Sequence, residues 1–153
     1  MPDAAGLLGL FLSAFLSATL LPGSSEAALI ALLALGKHDP ALLVAVATLG
    51  NVLGSVVNWA LGRWLAHFSG RRWFPVGERA YARAAGWYNR FGVWSLLLAW
   101  VPVIGDPLTA VAGALRVPFL RFVALVTFGK AARYVFIALA VDLARRSTRS
   151  ARP

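Results

Sequence analysis

Long apolar blocks separated by short polar breaks form the main pattern of this chain. Residues 4–21 and 27–36 carry no charged side chain, and a Pro-Gly-Ser-Ser-Glu break stands between them. Pro22 removes a backbone donor and crowds the preceding turn, while Gly23 loosens the backbone. The pattern predicts two short helical legs that meet at a polar tip carrying Glu26.

The length of this first block favours a hairpin over a single membrane crossing. Residues 4–36 make a stretch of about 33 residues, which as one α-helix would span roughly 50 Å against a hydrocarbon core of ~30 Å. Non-helical backbone at membrane depth is tolerated only inside protein or beside a water-filled cavity. We therefore expect residues 4–36 to form a re-entrant hairpin.

The same design occurs again near residue 100. Residues 91–115 are apolar apart from a break made by Pro102, Gly105, Asp106 and Pro107. This break repeats the first one at an offset of 80 residues, proline for proline and acid for acid. The pattern predicts a second re-entrant hairpin and an internal, inverted repeat. Broken helices in corresponding positions of two repeats point to a transport site near the bilayer midplane.

The remaining segments complete the prediction of an all-α polytopic membrane protein with a single membrane domain at residues 1–144. Its other parts are a transmembrane helix at 41–65, a basic interfacial helix at 67–90, a transmembrane helix at 119–141 and a basic, disordered tail at 145–153.

Small and amide residues recur at roughly four-residue steps on the helix predicted at 41–65. Such a face lets another backbone approach closely and offers hydrogen bonds across the contact. We expect this face to pack on the first hairpin. Its amides are more often packing residues than ligands, although Asn51 stands at mid-membrane and could line a cavity. Its members are Gly50, Asn51, Gly54, Ser55, Asn58 and Gly62.

Composition agrees with a membrane protein. Of 153 residues 59% are hydrophobic and only 14% are charged, and the mean hydropathy is +0.72. A soluble domain of this size does not need so apolar a composition. The formal net charge of +9 reflects arginines gathered at segment ends. That placement suits lipid headgroups and helix orientation, and argues against nucleic acid as a partner.

Enzymatic chemistry finds little support in the sequence. The chain has no cysteine, and its histidines, His38 and His67, do not stand near a carboxylate pair at metal-ligand spacing. It also lacks a nucleophile elbow, a phosphate-cradling loop and a zincin helix. We predict no metal, no cofactor and no enzyme activity.

The membrane orientation stays open at this point. The positive-inside rule places both the 67–90 stretch and the basic tail in the cytoplasm, which requires an even number of crossings between them. Two re-entrant hairpins leave one crossing, through residues 119–141, and put the two basic regions on opposite sides.

The acids at the two breaks are candidates for proton carriers or substrate gates. Glu26 and Asp106 each follow a break inside an apolar segment, and an ionisable residue placed there is a functional-site hypothesis by default. A carboxylate removed from water binds a proton more readily, which suits reversible protonation. The alternative is that each acid caps a helix, with Ser24 or Ser25 completing an N-terminal cap before Glu26.

Two cations stand three residues apart on the last apolar helix. Lys130 and Arg133 share one helix face about halfway along the segment. They could bind a phosphate, for which arginine offers a fork of donors, or pair with Glu26 and Asp106. In the second case the charges would simply hold the hairpins together.

Three groups of motifs occur together in a combination typical of one membrane-protein family. They are LPGSSE at residues 21–26, GNxxG at 50–54 with NWxxGR at 58–63, and WxPxxGD at 100–106 with GKxxRY at 129–134. In these motifs, over about residues 10–140, the chain resembles the DedA family, also called SNARE-associated or VTT-domain proteins, and is similar to its short YqaA-type branch. The resemblance implies an inner-membrane protein with two facing re-entrant hairpins. It also implies movement of polyprenyl phosphates or phospholipids between leaflets, coupled to protons in some members.

The chain departs from the family pattern near the second break. Typical members carry arginines beside the second-hairpin proline, where this chain has Ala99 and Gly105, and many carry an acid where Ser55 stands here. Our hypothesis is that Lys130 and Arg133 supply the missing positive charge.

These observations predict a transporter or flippase-like protein that handles an anionic lipid headgroup. Glu26 and Asp106 would exchange protons, while Lys130, Arg133 and Asn51 would bind the phosphate. One alternative is a small-cation/proton antiporter acting at Glu26, and another is a non-transporting structural or assembly protein. The small size makes a homodimer a reasonable assembly.

Overall fold

All the regular secondary structure in the described part of the chain is helical. The computed structural model describes residues 4–18, 23–65, 78–101 and 105–150. Within them lie α1 (Ala4–Ser17), α2 (Ser24–Leu35), α3 (Pro40–Leu65), α4 (Glu78–Phe91), a 3₁₀ helix (Gly92–Trp100), α5 (Gly105–Ala114) and α6 (Phe119–Ser150). The predicted all-α class is confirmed for these residues. By length and composition, two of the described helices, α3 and α6, could cross a membrane.

The antiparallel pair α3 and α6 forms the axis of the fold. Near one end the Trp59 ring lies against Phe119 and Phe122, with ring centroids 5.4 and 5.9 Å apart. At mid-length the Asn51 amide donates a hydrogen bond to the hydroxyl of Tyr134, at 2.9 Å. Asn51 comes before Trp59 in α3, whereas its partner Tyr134 comes after Phe119 and Phe122 in α6. The two helices are therefore antiparallel, and the start of α3 and the end of α6 lie at the same end of the bundle.

The helices α1 and α2 pack on the half of this pair that contains the start of α3. The glycines of α3 face α1 closely: a methyl group built on Gly54 would lie 2.7 Å from the Cβ atom of Ala18, and Gly50 lies similarly against Phe11. The helix α2 returns toward the start of α3, where the carbonyl of Leu33 accepts a hydrogen bond from Arg145. The breaks at the end of α1 and the start of α2 therefore lie beside the middle of α3.

The 3₁₀ helix and α5 occupy the opposite half. Gly129 of α6 lies against the carbonyl of Leu97, and Gly113 of α5 lies against the backbone of Trp59. Gly62 also packs here, since a methyl group on it would overlap the carbonyl of Ala110. The expectation that Gly62 contacts the first hairpin is therefore wrong: it lies too near the end of α3 for α1 and meets α5 instead.

Several boundaries differ from the sequence prediction. The helix α6 continues to Ser150, through most of the stretch predicted to be a disordered tail. The apolar run before the second break is a 3₁₀ helix, which Gly92 joins to α4 with a positive φ of 61°. The predicted break residues Pro22 and Pro102 lie outside the described residues, as do residues 67–77 of the basic stretch, and the predicted domain division stays a prediction.

Candidate functional site at the helix breaks

The two broken segments bring their acids to the middle of the bundle. The helix α2 begins after Gly23, whose φ of 93° is a left-handed conformation that glycine adopts without strain, and α5 begins at Gly105. Each helix carries an acid in its first turn, Glu26 in α2 and Asp106 in α5. A carboxylate at a helix N-terminus interacts favourably with the helix dipole.

Both acids meet cations of α6. The Nζ atom of Lys130 lies 3.5 Å from an Asp106 oxygen, and the guanidinium of Arg133 pairs with Glu26. Lys130 also donates a hydrogen bond to the side-chain oxygen of Asn51. Helices α2 and α5 are thus tied to the same turn of α6 from two sides.

A hydrogen-bond network surrounds the ion pairs. The Asn51 amide donates to the hydroxyls of Ser17 and Tyr134, both at 2.9 Å. Tyr134 donates in turn to Ser25 at 2.9 Å, and Ser17 lies 3.0 Å from the same hydroxyl. Because the Asn51 amide nitrogen donates twice and its oxygen accepts from Lys130, the orientation of the amide is fixed.

A second amide links the two halves of the site. Asn58 donates to the carbonyl of Ala18 at 2.7 Å and lies 3.5 Å from the hydroxyl of Thr109 in α5. The last carbonyls of a helix have no partner inside it. Asn58 therefore satisfies the end of α1 and connects it to α5.

The charges of this centre balance and are largely removed from the surface. Lys130 is buried, Arg133 is mostly buried, and the two acids are partly exposed. Moving charges out of water is costly, and the cost is recovered only by close partners and by hydrogen bonds to the remaining donors and acceptors. With two cations facing two carboxylates, the cluster has no formal net charge.

A small cleft of about 10 Å³, room for roughly one water molecule, lies at this centre. Its lining includes Ser17, Gly23, Asn51, Asp106, Lys130 and Arg133. The donors are an ammonium, a guanidinium and an amide, which together suit an oxyanion, and the acids offer proton-binding sites. Among the described residues no cluster of three or more His, Cys, Asp or Glu could hold a metal ion.

The structure brings together the five predicted polar site residues Glu26, Asp106, Lys130, Arg133 and Asn51. Their functional roles stay predictions. The predicted break residues Gly23 and Gly105 lie at the starts of α2 and α5, and Pro107 lies in the first turn of α5.

The serine cap considered as the alternative role is not seen at the start of α2. Gly23 is the N-cap residue of α2 and provides no side-chain cap, and the hydroxyl of Ser25 points into the network instead. Sequence reasoning did not assign site roles to Ser17 or Tyr134. A serine near the end of an apolar block and a tyrosine one residue after Arg133 are the signals that could have found them.

Comparison with known proteins places the chain in a family. A family model described as the VTT domain matches residues 21–143, a range that contains α3, most of α6 and both breaks. The chain belongs to the VTT-domain family, also known as DedA. The family resemblance expected from the motifs is thereby confirmed.

Named relatives of this VTT-domain chain are bacterial. It is 44% identical over 140 residues to the inner membrane protein YqaA of Escherichia coli (strain K12), covering 92% of this chain and 94% of that protein. The same figures hold for inner membrane protein YqaA of Shigella flexneri. An uncharacterized protein of Haemophilus influenzae is 40% identical over 140 residues, covering 87% and 85% of the two chains. No solved structure matches the chain.

These relatives agree with the predicted location. The VTT domain, the names of the YqaA relatives and the two long apolar helices make this VTT-domain chain an integral protein of the bacterial inner membrane.

Proposed function

We propose that this VTT-domain protein moves the anionic headgroup of a membrane lipid, a polyprenyl phosphate or a phospholipid, between leaflets by proton-coupled transport. The observation that carries the proposal is the pairing of two α6 cations with acids from two helix breaks. Intramembrane ionisable residues that converge from broken helices are typical of transport sites.

The arrangement of the breaks supports two re-entrant hairpins in the proposal. Helix α1 starts near the start of α3, and helix α2 ends there. The 3₁₀ helix and α5 pack toward the other end of α3. In a membrane crossed by α3 and α6, the first hairpin would enter from one side and the second from the other. This is the geometry expected of an inverted repeat.

Proton binding and phosphate binding would be linked through the ion pairs. When Glu26 and Asp106 are ionised, they neutralise Arg133 and Lys130. A proton on each acid removes its charge and leaves the two cations for an entering phosphate. A phosphate monoester, as in a polyprenyl phosphate, carries a charge of about −1.5 to −2 near neutral pH, which two cations match, whereas the phosphodiester of a phospholipid carries a single negative charge. The lipid would leave when the acids release their protons on the other side.

The hydrogen-bond network would hold the binding groups during this exchange. Asn51 contacts Lys130 on one side and Tyr134 on the other. Tyr134 connects α6 to Ser25 on α2, one residue before Glu26. Positions held by such supporting bonds cost less to order when ligand binds.

A structural role is the second candidate, and the complete pairing of the charges favours it. Both central cations have acidic partners, so the cluster would serve equally well to lock four helices together. This candidate predicts that Glu26→Gln and Asp106→Asn lower the free energy of unfolding but leave cellular function intact as long as the protein stays folded, while Gly54→Leu, which would push α1 from α3, abolishes function.

The test uses proteoliposomes that contain a fluorescent phospholipid or a fluorescent polyprenyl phosphate. Loss of outer-leaflet signal is followed for wild type, Glu26→Gln and Arg133→Gln, with and without a pH gradient. Arg121→Gln is the matched control, since Arg121 is an exposed arginine of the same helix.

We expect fast movement of one lipid with wild type and Arg121→Gln. With Glu26→Gln and Arg133→Gln we expect movement at least tenfold slower, which corresponds to an activation free energy higher by about 1.4 kcal/mol. Dependence on the gradient would show proton coupling. Folded wild-type protein that moves neither lipid would overturn the proposal and favour the structural role.

A further inference from the structure

A groove between α3 and α6 lies apart from the central cleft. It has a volume of 760 Å³, runs between α3 and α6 near the end of α2, and shares no lining residue with the central cleft. Its floor and walls include the small side chains Ala41, Ala45, Ala131 and Ala138. A volume of roughly 300–1,000 Å³ is typical of sites that hold small ligands.

The apolar groove leads into a basic pocket. Asp142 and Arg145 line the end of the groove and also line an adjoining pocket of 690 Å³ together with Arg146 and Arg149. Three arginines against one aspartate give this pocket a formal charge of +2. A long apolar groove that ends in a cationic pocket is complementary to an anionic amphiphile, which has an apolar chain and a negatively charged headgroup.

The arginines differ in how they are engaged. Arg145 donates to the carbonyl of Leu33 in the last turn of α2, which fixes it at the junction of groove and pocket. Arg146 pairs with Asp142 at 2.9 Å. Arg149 forms no ion pair with any residue that the structure describes, so its charge remains for a bound group.

We propose that the groove binds one anionic phospholipid, with an acyl chain along α3 and α6 and its phosphate against Arg149 and Arg145. A second copy of the chain fits less well. A two-fold axis along the membrane normal would bring both basic pockets to the same height, and like charges repel across an interface. The lipid site is independent of the central transport site.

Native mass spectrometry of the detergent-purified full chain tests this inference. The probes are phosphatidylglycerol and phosphatidylcholine with identical acyl chains. Ala45→Phe fills the groove at an exposed position of α3, and Ala60→Phe adds the same bulk to an exposed position of α3 outside the groove. Arg149→Gln removes a cation proposed to contact the lipid phosphate, with Arg121→Gln as its control.

We expect wild type, Ala60→Phe and Arg121→Gln to retain one phosphatidylglycerol in preference to phosphatidylcholine. Ala45→Phe should lose that lipid, and Arg149→Gln should reduce the preference about fivefold, as expected for one basic residue at an anionic surface. Equal retention of both lipids by wild type, or unchanged retention by Ala45→Phe, would overturn the proposal. A dimer that disappears in Ala45→Phe would show that a second copy occupies the groove.

Discussion

Two sets of ion pairs on α6 share one chemistry but differ in their surroundings. In the middle of the helix, Lys130 has a side chain 3% exposed and pairs with Asp106. Near the end, Arg146 pairs with Asp142 at 2.9 Å, and these side chains are 77% and 52% exposed. The nitrogen–oxygen distance in the exposed pair, 2.9 Å, is shorter than the 3.5 Å between Lys130 and Asp106, although breaking the buried pair costs more free energy.

The difference shows why distance alone does not rank these contacts. The peripheral partners are four residues apart on one helix, and such exposed pairs typically contribute only a few tenths of a kcal/mol. The central partners come from different helices, and their low exposure leaves few water molecules to replace a lost partner. Breaking a buried pair leaves an uncompensated charge, so the central charges should dominate the response to substitution.

Lys130→Met gives the largest expected effect. It leaves Asp106 without its cation and the side-chain oxygen of Asn51 without its donor. We expect a loss of about 3–5 kcal/mol in the free energy of unfolding, the range for a buried pair that loses one partner. Denaturant unfolding in detergent micelles measures it.

The double variant Lys130→Met/Asp106→Leu is the control for this prediction. Removing both charges leaves no unpaired ion, so we expect it to recover at least half of the lost stability. If Lys130→Met unfolds no more easily than a variant of the peripheral pair, the contrast between centre and periphery is wrong.

Glu26→Gln is expected to have the next largest effect. Arg133 is 16% exposed and Glu26 29% exposed, so this pair lies between the two extremes. Glutamine keeps the shape of the side chain and loses its charge, which should cost about 1.5–3 kcal/mol, the range for hydrogen bonds to charged groups. The same unfolding assay measures it, and stability equal to wild type would show that water already screens this pair.

Much of the helical layout could be predicted from hydrophobic run lengths and break residues. The predicted helix at 41–65 corresponds to α3 at Pro40–Leu65, and a new helix starts close after each break. Runs of apolar residues bounded by proline and glycine carry this information locally. An apolar run such as 92–100 does not distinguish a 3₁₀ helix from an α-helix, because both bury apolar side chains.

The centre of the site could be predicted only in part. Its charged members stand out because charge is rare in apolar segments, but which acid meets which cation depends on how the helices pack. Tyr134 was not assigned a role because a tyrosine in an apolar helix usually reads as an interfacial anchor. The extended end of α6 includes Arg145, which donates a hydrogen bond to the carbonyl of Leu33, a residue remote in sequence.

Tyr134→Phe should have a smaller effect than either charge substitution. Its hydroxyl donates to Ser25 and accepts from Asn51, but both residues also contact Ser17. The phenylalanine ring keeps its place in the core. We expect a loss of about 0.5–1.5 kcal/mol in the free energy of unfolding, that of one net hydrogen bond. A loss as large as that of Lys130→Met would mean that the hydroxyl holds the ion pairs in place.

Asp142→Asn completes the comparison with the smallest expected effect. Asparagine keeps the size of the side chain while removing its charge, and Arg146 remains hydrated because it is mostly exposed. We expect a change of less than about 0.5 kcal/mol in the free energy of unfolding, as for exposed pairs four residues apart on a helix. Unfolding curves at low and high salt measure it, and any difference from wild type should shrink as salt screens the pair. A loss above 1.5 kcal/mol that persists in high salt would show that Asp142 acts within the basic pocket, by holding Arg145 and Arg146 apart, rather than as an ordinary surface partner.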